Sequence, residues 1–308
     1  MNPVDRRRLG RARAPVTLAL AVLAGLVLAV GIDVVRSGGP GAWLARHRVP
    51  PPYSASGVRL DIGPRALYLD CRGSGQPTVV LEAGSGADSS TWSAVHDELA
   101  TTTRTCAYDR AGRGRSDPTE RHSLGDAAAE LAALLARAGE PGPYVLVGHS
   151  LGGAYIRVFA GANRADVVGL VLVDAFNPDL QDDRIHPLLG PLQPQYKTNL
   201  DGLRDIVSRV DSLDWAASEQ QLRASSVEGL PIEVLVAPRY EPRLDEARNA
   251  EIAAAWQAAY ESLSPGLVRQ TTAWGAGHII QIDRPDLVIE ATRRLIDLAR
   301  SRAPAAAR

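Results

Sequence analysis

This chain has no surplus of either charge and almost no lysine. It contains 34 Lys and Arg against 35 Asp and Glu, so its formal net charge is −1. Nucleic-acid-binding domains usually carry a basic surface, so this balance argues against nucleic acid as a partner. Lys197 is the single lysine, and we interpret the preference for arginine as genomic bias rather than mechanism. No internal repeat is apparent, and 308 residues suit one globular domain with a full core.

The sequence also lacks the usual signatures of bound cofactors and metals. Gly84-Ser85-Gly86 is rich in glycine, but it is not followed by the Gly-Lys-[Ser/Thr] of a P-loop. It also lacks the G-x-G-x-x-G spacing of a dinucleotide site. Four histidines show no spacing typical of metal ligands: His47, His96, His122 and His186. We therefore predict no cofactor and no metal.

The N-terminal segment differs from the rest of the chain. Residues 14–32 are uncharged, and about 19 residues can span a bilayer as a helix. The preceding arginines favour a cytoplasmic N-terminus: Arg6, Arg7, Arg8, Arg11 and Arg13. We predict that residues 1–35 are a basic tip and a transmembrane signal-anchor, and that residues 36–56 are a linker. The alternative is a cleaved signal peptide and a secreted protein, with Ala29-Val30-Gly31 as a weak cleavage site.

From residue 57 onward, short apolar runs alternate with helical patterns. This alternation predicts a mostly parallel sheet that is covered by helices on both faces. Ser123, with Asp126 three residues later, is typical of a helix start. Strands are predicted at 58–62, 66–69, 78–81, 104–108, 144–147, 168–173, 232–237 and 267–272.

One long segment breaks this alternation. Residues 175–231 contain no convincing strand, only prolines and amphipathic pieces around 203–210 and 215–222. An unstructured loop of that length is uncommon inside a compact domain. We therefore predict a helical lid inserted between two strands, and we call residues 175–231 the lid insertion.

The most informative motif is Gly148-His149-Ser150-Leu151-Gly152, where an apolar run gives way to a helical pattern. A serine between two glycines at such a junction is typical of a sharp turn that lifts the hydroxyl out of the sheet. The glycines leave room for a strained backbone and close helix packing. Helix N-terminal N–H groups favour the negative charge that develops when the serine attacks a carbonyl. The motif predicts that Ser150 is a nucleophile.

Four motifs, in this order, resemble those of the alpha/beta-hydrolase superfamily over about residues 57–302. They are Leu81-Glu82-Ala83-Gly84-Ser85-Gly86 with Trp92, then Tyr108-Asp109-Arg110-Ala111-Gly112-Arg113-Gly114-Arg115-Ser116, the Ser150 motif, and Gly277-His278 with Asp283-Arg284-Pro285. The first is similar to the family's oxyanion loop, although Ala83 stands where the family often has histidine. The resemblance implies an α/β-hydrolase fold, a doubly wound and mostly parallel sheet with an inserted helical lid. It leaves residues 303–308 as a tail.

The resemblance also implies a catalytic base and an orienting carboxylate. A serine hydroxyl is a poor nucleophile until a base removes its proton, and His278 holds the family's base position. Asp174 ends the predicted strand at 168–173, a position that haloalkane dehalogenases and pancreatic-type lipases use for their acid. The more usual position follows the next strand, where Glu241 and Asp245 are the nearest carboxylates. We take Asp174 as the acid, with Glu241 as the alternative, and a hinge or helix-capping role for Asp174 also remains open.

Three further residue roles are expected around this site. The fold implies an oxyanion hole formed by the backbone N–H groups of Ser85 and Leu151. We expect Asp109 to organise its turn and His149 to pack beside the nucleophile.

The predicted function is a serine hydrolase that cleaves small-molecule carboxylic esters through an acyl-enzyme, like carboxylesterases and lipases. A serine nucleophile argues against epoxide hydrolases and haloalkane dehalogenases, which resemble this fold but use aspartate there. One alternative is an aminopeptidase of the proline-iminopeptidase kind, in which Asp179, Asp182 and Asp183 would hold a free amine. The other is a catalytically silent binding protein on the same fold.

The chain has two cysteines, Cys71 and Cys106. In the sheet that the resemblance implies, the second and fourth strands are neighbours, so the two sulfurs could meet. An exported domain would form and keep that bond. We predict a disulfide and an extracytoplasmic catalytic domain, with two unrelated buried thiols as the alternative.

Overall fold

The computed structural model describes residues 57–178, 186–238 and 243–302. The predicted signal-anchor (1–35), linker (36–56) and tail (303–308) lie outside these residues, as do Asp179, Asp182, Asp183 and Glu241. Within the described ranges, no helix combines the length and the apolar character needed to cross a bilayer.

All eight predicted strands are present, and they form one sheet. They are β1 (Val58–Asp61), β2 (Ala66–Arg72), β3 (Thr78–Glu82), β4 (Thr105–Asp109), β5 (Tyr144–His149), β6 (Val167–Val173), β7 (Ile232–Val236) and β8 (Val268–Thr272). The α-helices are α1 (Ser93–Ala100), α2 (Leu124–Ala138), α3 (Leu151–Ala162), α4 (Gln193–Val210), α5 (Trp215–Ala224), α6 (Glu246–Glu261), α7 (Ile280–Asp283) and α8 (Pro285–Arg302).

The strand order across the sheet is β1-β2-β4-β3-β5-β6-β7-β8. β2 pairs antiparallel with β1 and β4, and the other neighbouring strands are parallel. The predicted α/β-hydrolase fold is confirmed. Parallel strands end at one edge of the sheet, so the loops after β3, β5, β6 and β8 converge there.

Apolar side chains cover both faces of the sheet. Along β3, Val80 belongs to one buried cluster, whereas Val79 and Leu81 belong to the other. This alternation follows from side chains that point to opposite faces at successive positions. The first cluster includes residues of α2 and α3, and the second includes residues of α1 and α8. Because both faces are buried there, the central strands β3, β5 and β6 appear in the sequence as nearly continuous apolar runs.

Helix α2 begins at the predicted cap. The Ser123 side chain accepts a hydrogen bond from the Asp126 N–H at 3.2 Å, and the Asp126 carboxylate accepts one from the Ser123 N–H at 2.8 Å. The helix ends at Gly139, whose φ of 69° lies in the left-handed region that favours glycine.

The lid insertion lies between β6 and β7, and its described part contains the two α-helices α4 and α5. Its longest helix, α4, ends at Val210, and α5 follows after a short joint. His122 fastens this joint to the domain, because its N–H donates to Ser212 O at 3.0 Å and its carbonyl accepts from the Asp214 N–H at 2.7 Å. The loop before α2 therefore fixes where the two lid helices meet.

Cys71 on β2 lies directly opposite Cys106 on β4, and the two residues form a disulfide. Their Cα atoms are 4.0 Å apart. The antiparallel register between these strands brings the two side chains together.

Candidate active site

Ser150 lies on the turn between β5 and α3. Its φ of 51° and ψ of −121° are unusual for a residue with a side chain, and such backbone strain costs about 1–3 kcal/mol. Backbone hydrogen bonds maintain the turn. The Ser150 N–H donates to Val173 O at 3.0 Å, and the Ser150 carbonyl accepts from the Gly153 and Phe176 N–H groups at 3.0 and 2.9 Å.

The glycines on either side of Ser150 are required by close backbone contacts. A Cβ atom on Gly148 would lie 2.6 Å from Gly152 O, and one on Gly152 would lie 2.5 Å from Glu82 O. Side chains at these positions would push α3 away from β3 and β5. The spacing seen in the sequence is therefore the spacing that the turn needs.

His278 and Asp174 are in direct contact. The Nδ1 atom of His278 lies 2.7 Å from Oδ2 of Asp174. The carboxylate is buried, with 4% of its side chain exposed, whereas 56% of the imidazole side chain is exposed. The imidazole is thus held from the protein side and remains open to a substrate on the other.

The strand ends position Asp174. This residue follows β6 with a φ of 42°, and its N–H donates to Leu235 O at 2.7 Å. Its Oδ1 accepts from the Ala237 N–H at 3.1 Å. The loop after β7, where the alternative carboxylate was expected, thus contributes a backbone donor to Asp174. Of the two nearest carboxylates there, Asp245 caps α6 by accepting from the Arg248 N–H at 2.7 Å, and Glu241, the alternative acid, lies outside the described residues.

The loop that carries His278 is held at both ends. The Gly277 N–H donates to Asp283 Oδ2 at 2.7 Å, and Arg284 Nη1 donates to Trp274 O at 2.9 Å. The Asp283-Arg284-Pro285 motif therefore has a structural role, since its first two residues fasten the histidine loop and Pro285 begins α8.

His149 supports the same loop, which the sequence did not reveal. Its Nε2 lies 2.9 Å from the His278 carbonyl oxygen. Burial, together with the neighbouring His278 ring, lowers the pKa of His149 to about 4. A neutral ring at pH 7 can donate from Nε2 to that carbonyl. No local pattern could indicate this bond, because the two residues are 129 positions apart.

Arg110 organises the candidate oxyanion loop after β3. Its Nη1 donates to Ala83 O at 2.5 Å and its Nη2 to Gly84 O at 2.8 Å. The guanidinium also pairs with Glu82, and both side chains are buried. Burial raises the pKa of Glu82, although Arg110 opposes that shift. Two main-chain carbonyls of the loop are thus fixed by one cation.

Asp109 organises its turn, as predicted. Its carboxylate accepts from the Ser89 and Arg115 N–H groups, both at 2.8 Å. A Cβ atom on Gly114 would lie only 2.1 Å from the Asp109 carboxylate, so the glycine is required there. Asp109 is buried and is not among the residues that line the cavity described below.

A cavity of about 590 Å³ brings the predicted site residues together. Ser85, Ser150, Leu151, Asp174 and His278 all line it. The remaining wall is largely apolar, and its apolar members include Phe176, Leu200, Leu203, Ile206, Val207, Val210, Trp215, Trp256 and Ile279. A hydroxyl, an imidazole with its carboxylate and the start of a helix therefore surround an apolar space, an arrangement suited to acyl transfer.

Comparisons with known proteins place this geometry in a family context. The profile of the Alpha/beta hydrolase family matches residues 79–291. An AB hydrolase superfamily protein of Gibberella zeae is 29% identical over 181 residues, which are 54% of this chain and 53% of that protein. The chain spans about half or less of the length of the curated relatives it matches.

Solved structures share the fold at low sequence identity. A thermophilic esterase from Thermogutta terrifontis superimposes with a TM-score of 0.51 at 20% identity, covering 79% of this chain and 99% of the esterase. The epoxide hydrolase CorEH gives a TM-score of 0.55 at 18% identity, covering 79% of this chain and 99% of that enzyme. Enzymes of different chemistry match about equally, so the fold does not select the reaction.

Proposed function

We propose that this chain, which belongs to the alpha/beta hydrolase family, is a serine hydrolase that cleaves carboxylic esters through an acyl-enzyme. The observation that carries the proposal is the 2.7 Å contact between His278 Nδ1 and Asp174 Oδ2, in a cavity that Ser150 also lines. A serine on a strained turn, an imidazole and a buried carboxylate are the three groups that acyl transfer needs.

The proposed reaction begins with His278 taking the Ser150 hydroxyl proton at Nε2. The oxygen attacks the ester carbonyl, and the backbone N–H groups of Ser85 and Leu151 bind the resulting oxyanion. The tetrahedral intermediate collapses, and the protonated His278 gives its proton to the departing alcohol. Water then attacks the acyl-enzyme by the same steps, which releases the acid and regenerates Ser150. Asp174 keeps Nδ1 protonated and stabilises the imidazolium throughout.

The cavity wall favours an uncharged, apolar acyl group. Leu203, Ile206 and Val210 of α4 line the cavity, as do Phe176 and Trp215. Among the described lining residues, Asp174 is the one carboxylate, and it already binds His278. An aminopeptidase would need a second carboxylate for the substrate amine, or would have to hold it with neutral groups such as the Gln281 amide, which also lines the cavity. The described wall therefore favours an ester with an apolar acyl chain over a peptide.

A panel of aryl esters with increasing acyl length tests this function, with amine-terminated amides as controls. We expect turnover of the esters, little turnover of the amides, and rapid labelling of the protein by a fluorophosphonate probe. Ser150→Ala should abolish both turnover and labelling. Ser301→Ala, which alters an exposed serine on α8, is the matched control and should keep both.

The opposite results would separate the alternatives. Substantial ester turnover by folded Ser150→Ala would exclude the acyl-enzyme mechanism. A folded wild-type protein that neither labels nor turns over any substrate would support a silent binding protein. Preferential cleavage of the amine-terminated amides would favour the aminopeptidase.

We further propose that the catalytic domain acts outside the cytoplasm, anchored through residues 14–32. The Cys71–Cys106 disulfide supports an oxidising compartment, since cytosolic thiols are kept reduced. Membrane fractionation of the full chain, followed by alkaline carbonate extraction, tests this location. A mature N-terminus directly after Gly31 would instead indicate a secreted protein.

A further inference from the structure

We propose that Asp211, which directly follows the lid helix α4, is a positioning residue that holds the oxyanion loop in its working geometry. The inference rests on the proposed function, because it concerns the loop whose Ser85 N–H would bind the oxyanion. It adds a residue of the lid insertion to the proposed catalytic groups, which otherwise lie on loops at the edge of the sheet.

The Asp211 carboxylate binds the oxyanion loop directly. Its Oδ2 accepts a hydrogen bond from the Ser85 hydroxyl, and its Oδ1 accepts one from the Gly86 N–H at 3.3 Å. The Ser85 side chain therefore points to the lid insertion. Because the Ser85 hydroxyl donates to Asp211, the backbone N–H is the donor of Ser85 that would face a substrate.

Asp211 also acts on the Ser85 N–H through Arg110. Oδ1 of Asp211 accepts from Arg110 Nη2 at 3.3 Å, and the same Nη2 donates to Gly84 O at 2.8 Å. The Gly84 carbonyl and the Ser85 N–H belong to one planar trans peptide group, so they point in opposite directions. Fixing the carbonyl on Arg110 consequently fixes the direction of the Ser85 N–H.

Burial strengthens these contacts. Asp211 and Arg110 are 3% and 4% exposed, and Arg113 Nε lies 3.4 Å from Asp211 Oδ1. Charged hydrogen bonds in such surroundings are stronger and more directional than neutral ones. A carboxylate at a helix C-terminus is unfavourable for the helix dipole, and the two arginines offset that cost.

The helix that ends in Asp211 also touches the cavity. Val207 and Val210, in its last turn, line the space where the acyl group would bind. Val210 also lies against the loop, since a Cβ atom on Gly86 would be 3.1 Å from its Cγ1. The wall that a substrate contacts is thus continuous with the carboxylate that holds the oxyanion donor.

Three variants test the role of Asp211 with the best ester substrate: Asp211→Ala, Asp211→Asn and Ser85→Ala. We expect Asp211→Ala to lower kcat about 10- to 100-fold, less than the loss of an oxyanion donor itself, with KM changed less than about threefold. Asp211→Asn keeps an acceptor for the Ser85 hydroxyl and should recover part of the loss. Asp205→Asn, an exposed carboxylate on the same helix, is the control and should match the wild type.

The variant pair Ser85→Ala and Asp211→Ala tests whether Asp211 acts through its hydrogen bond with the Ser85 hydroxyl. Ser85→Ala keeps the backbone N–H and removes only the hydroxyl that Asp211 binds. Its effect on kcat should be smaller than that of Asp211→Ala, and the double variant should be little worse than Asp211→Ala alone. If the two effects multiply, the contact between these residues does not carry the positioning. The Ser85→Ala measurement also stands if Asp211→Ala does not fold.

Hydrogen exchange gives a readout that is independent of activity. The amides of residues 84–87 should exchange faster in Asp211→Ala than in the wild type, and those of β5 should not. A raised KM with unchanged kcat and unchanged exchange would show that Asp211 only supports the lid, and would overturn the inference. Failure of the proposed function is distinguishable, because it would appear as a wild-type protein that is not labelled at Ser150.

Discussion

His149 lies directly behind His278, and the centroids of their rings are 4.7 Å apart. The hydrogen bond from the buried ring to the His278 carbonyl makes His149, the residue before the proposed nucleophile, a support for the proposed base. Asp174 holds the imidazole of His278, whereas His149 holds its main chain. Two separate contacts therefore fix His278 relative to Ser150.

We expect His149→Phe to lower kcat about 2- to 10-fold with little change in KM, because it removes one hydrogen bond and keeps a ring of similar size. Steady-state kinetics on an aryl ester measure this change. The matched control is His96→Phe. It removes a comparable contact, 2.9 Å between His96 Nε2 and Thr105 O, and His96 does not line the cavity. Equal kcat values for the two folded variants would contradict the supporting role of His149.

The lowered pKa of His149 predicts a loss of stability in acid. The unfolded chain binds this proton near pH 6.5 and the folded chain only near 4. The contribution of His149 to the free energy of unfolding is therefore fully present above about pH 6.5. It is lost as the pH falls toward 4, which lowers the free energy of unfolding by up to ~3 kcal/mol. Burial also lowers the pKa values of His96 and His122, so the wild type has further acid-sensitive groups.

Urea unfolding of the wild type and His149→Phe between pH 7.5 and 4.5 isolates the contribution of His149. The free energy of unfolding of the wild type should fall more steeply with acid than that of the variant. Parallel curves would show that the pKa of His149 is not lowered in the folded protein.

Asp174→Asn should lower kcat by about 10²- to 10⁴-fold and leave KM nearly unchanged, because the amide favours the wrong tautomer of His278. The shape of the side chain is preserved, and circular dichroism should confirm that the variant folds. Glu241→Gln is the comparison variant, and it should remain active. The reverse pattern would assign the acid to the loop after β7.

The Cys71–Cys106 bond should contribute about 3–4 kcal/mol to the free energy of unfolding, as expected for a loop of this length. The sequence separation of the two cysteines is 35 residues. The double variant Cys71→Ser/Cys106→Ser should unfold at lower urea concentration and keep its ester turnover, since neither cysteine lines the cavity. Mass spectrometry of alkylated, non-reduced protein that finds two free thiols would exclude the bond.

Ile206→Trp should shift the preferred ester to a shorter acyl chain, because the larger side chain fills part of the cavity. The ratio of kcat/KM for long and short aryl esters measures this shift. Leu267→Trp is the control, since it enlarges a partly exposed side chain outside the cavity wall. An unchanged ratio in Ile206→Trp would place the acyl group elsewhere.

The sequence predicted the features that depend on neighbouring residues, namely the strands and the turn at Ser150. The alternation of short strand-like runs with helical patterns located all eight strands. The central strands β3, β5 and β6 are nearly continuous apolar runs because both of their faces are buried. The glycines around Ser150 indicated the turn, because close packing on β3 forbids side chains there. The contacts of His149 and Asp211 were missed, since they join residues 129 and 126 positions apart. For Asp211, the local sequence offered one sign of a special role: a carboxylate stands at the C-terminal end of a helix, where the helix dipole disfavours negative charge.

The disulfide also joins the β1–β2 hairpin, at one edge of the sheet, to the neighbouring strand β4. The four-residue strand β1 is an edge strand of the sheet. It pairs with β2, and β2 pairs in turn with β4. Short edge strands are usually the first to open, and an opened edge can pair with another molecule. The covalent bond between Cys71 on β2 and Cys106 on β4 keeps the β1–β2 hairpin attached to the sheet when the hydrogen bonds between β2 and β4 break. In an oxidising compartment, this cross-link would limit aggregation through the exposed edge.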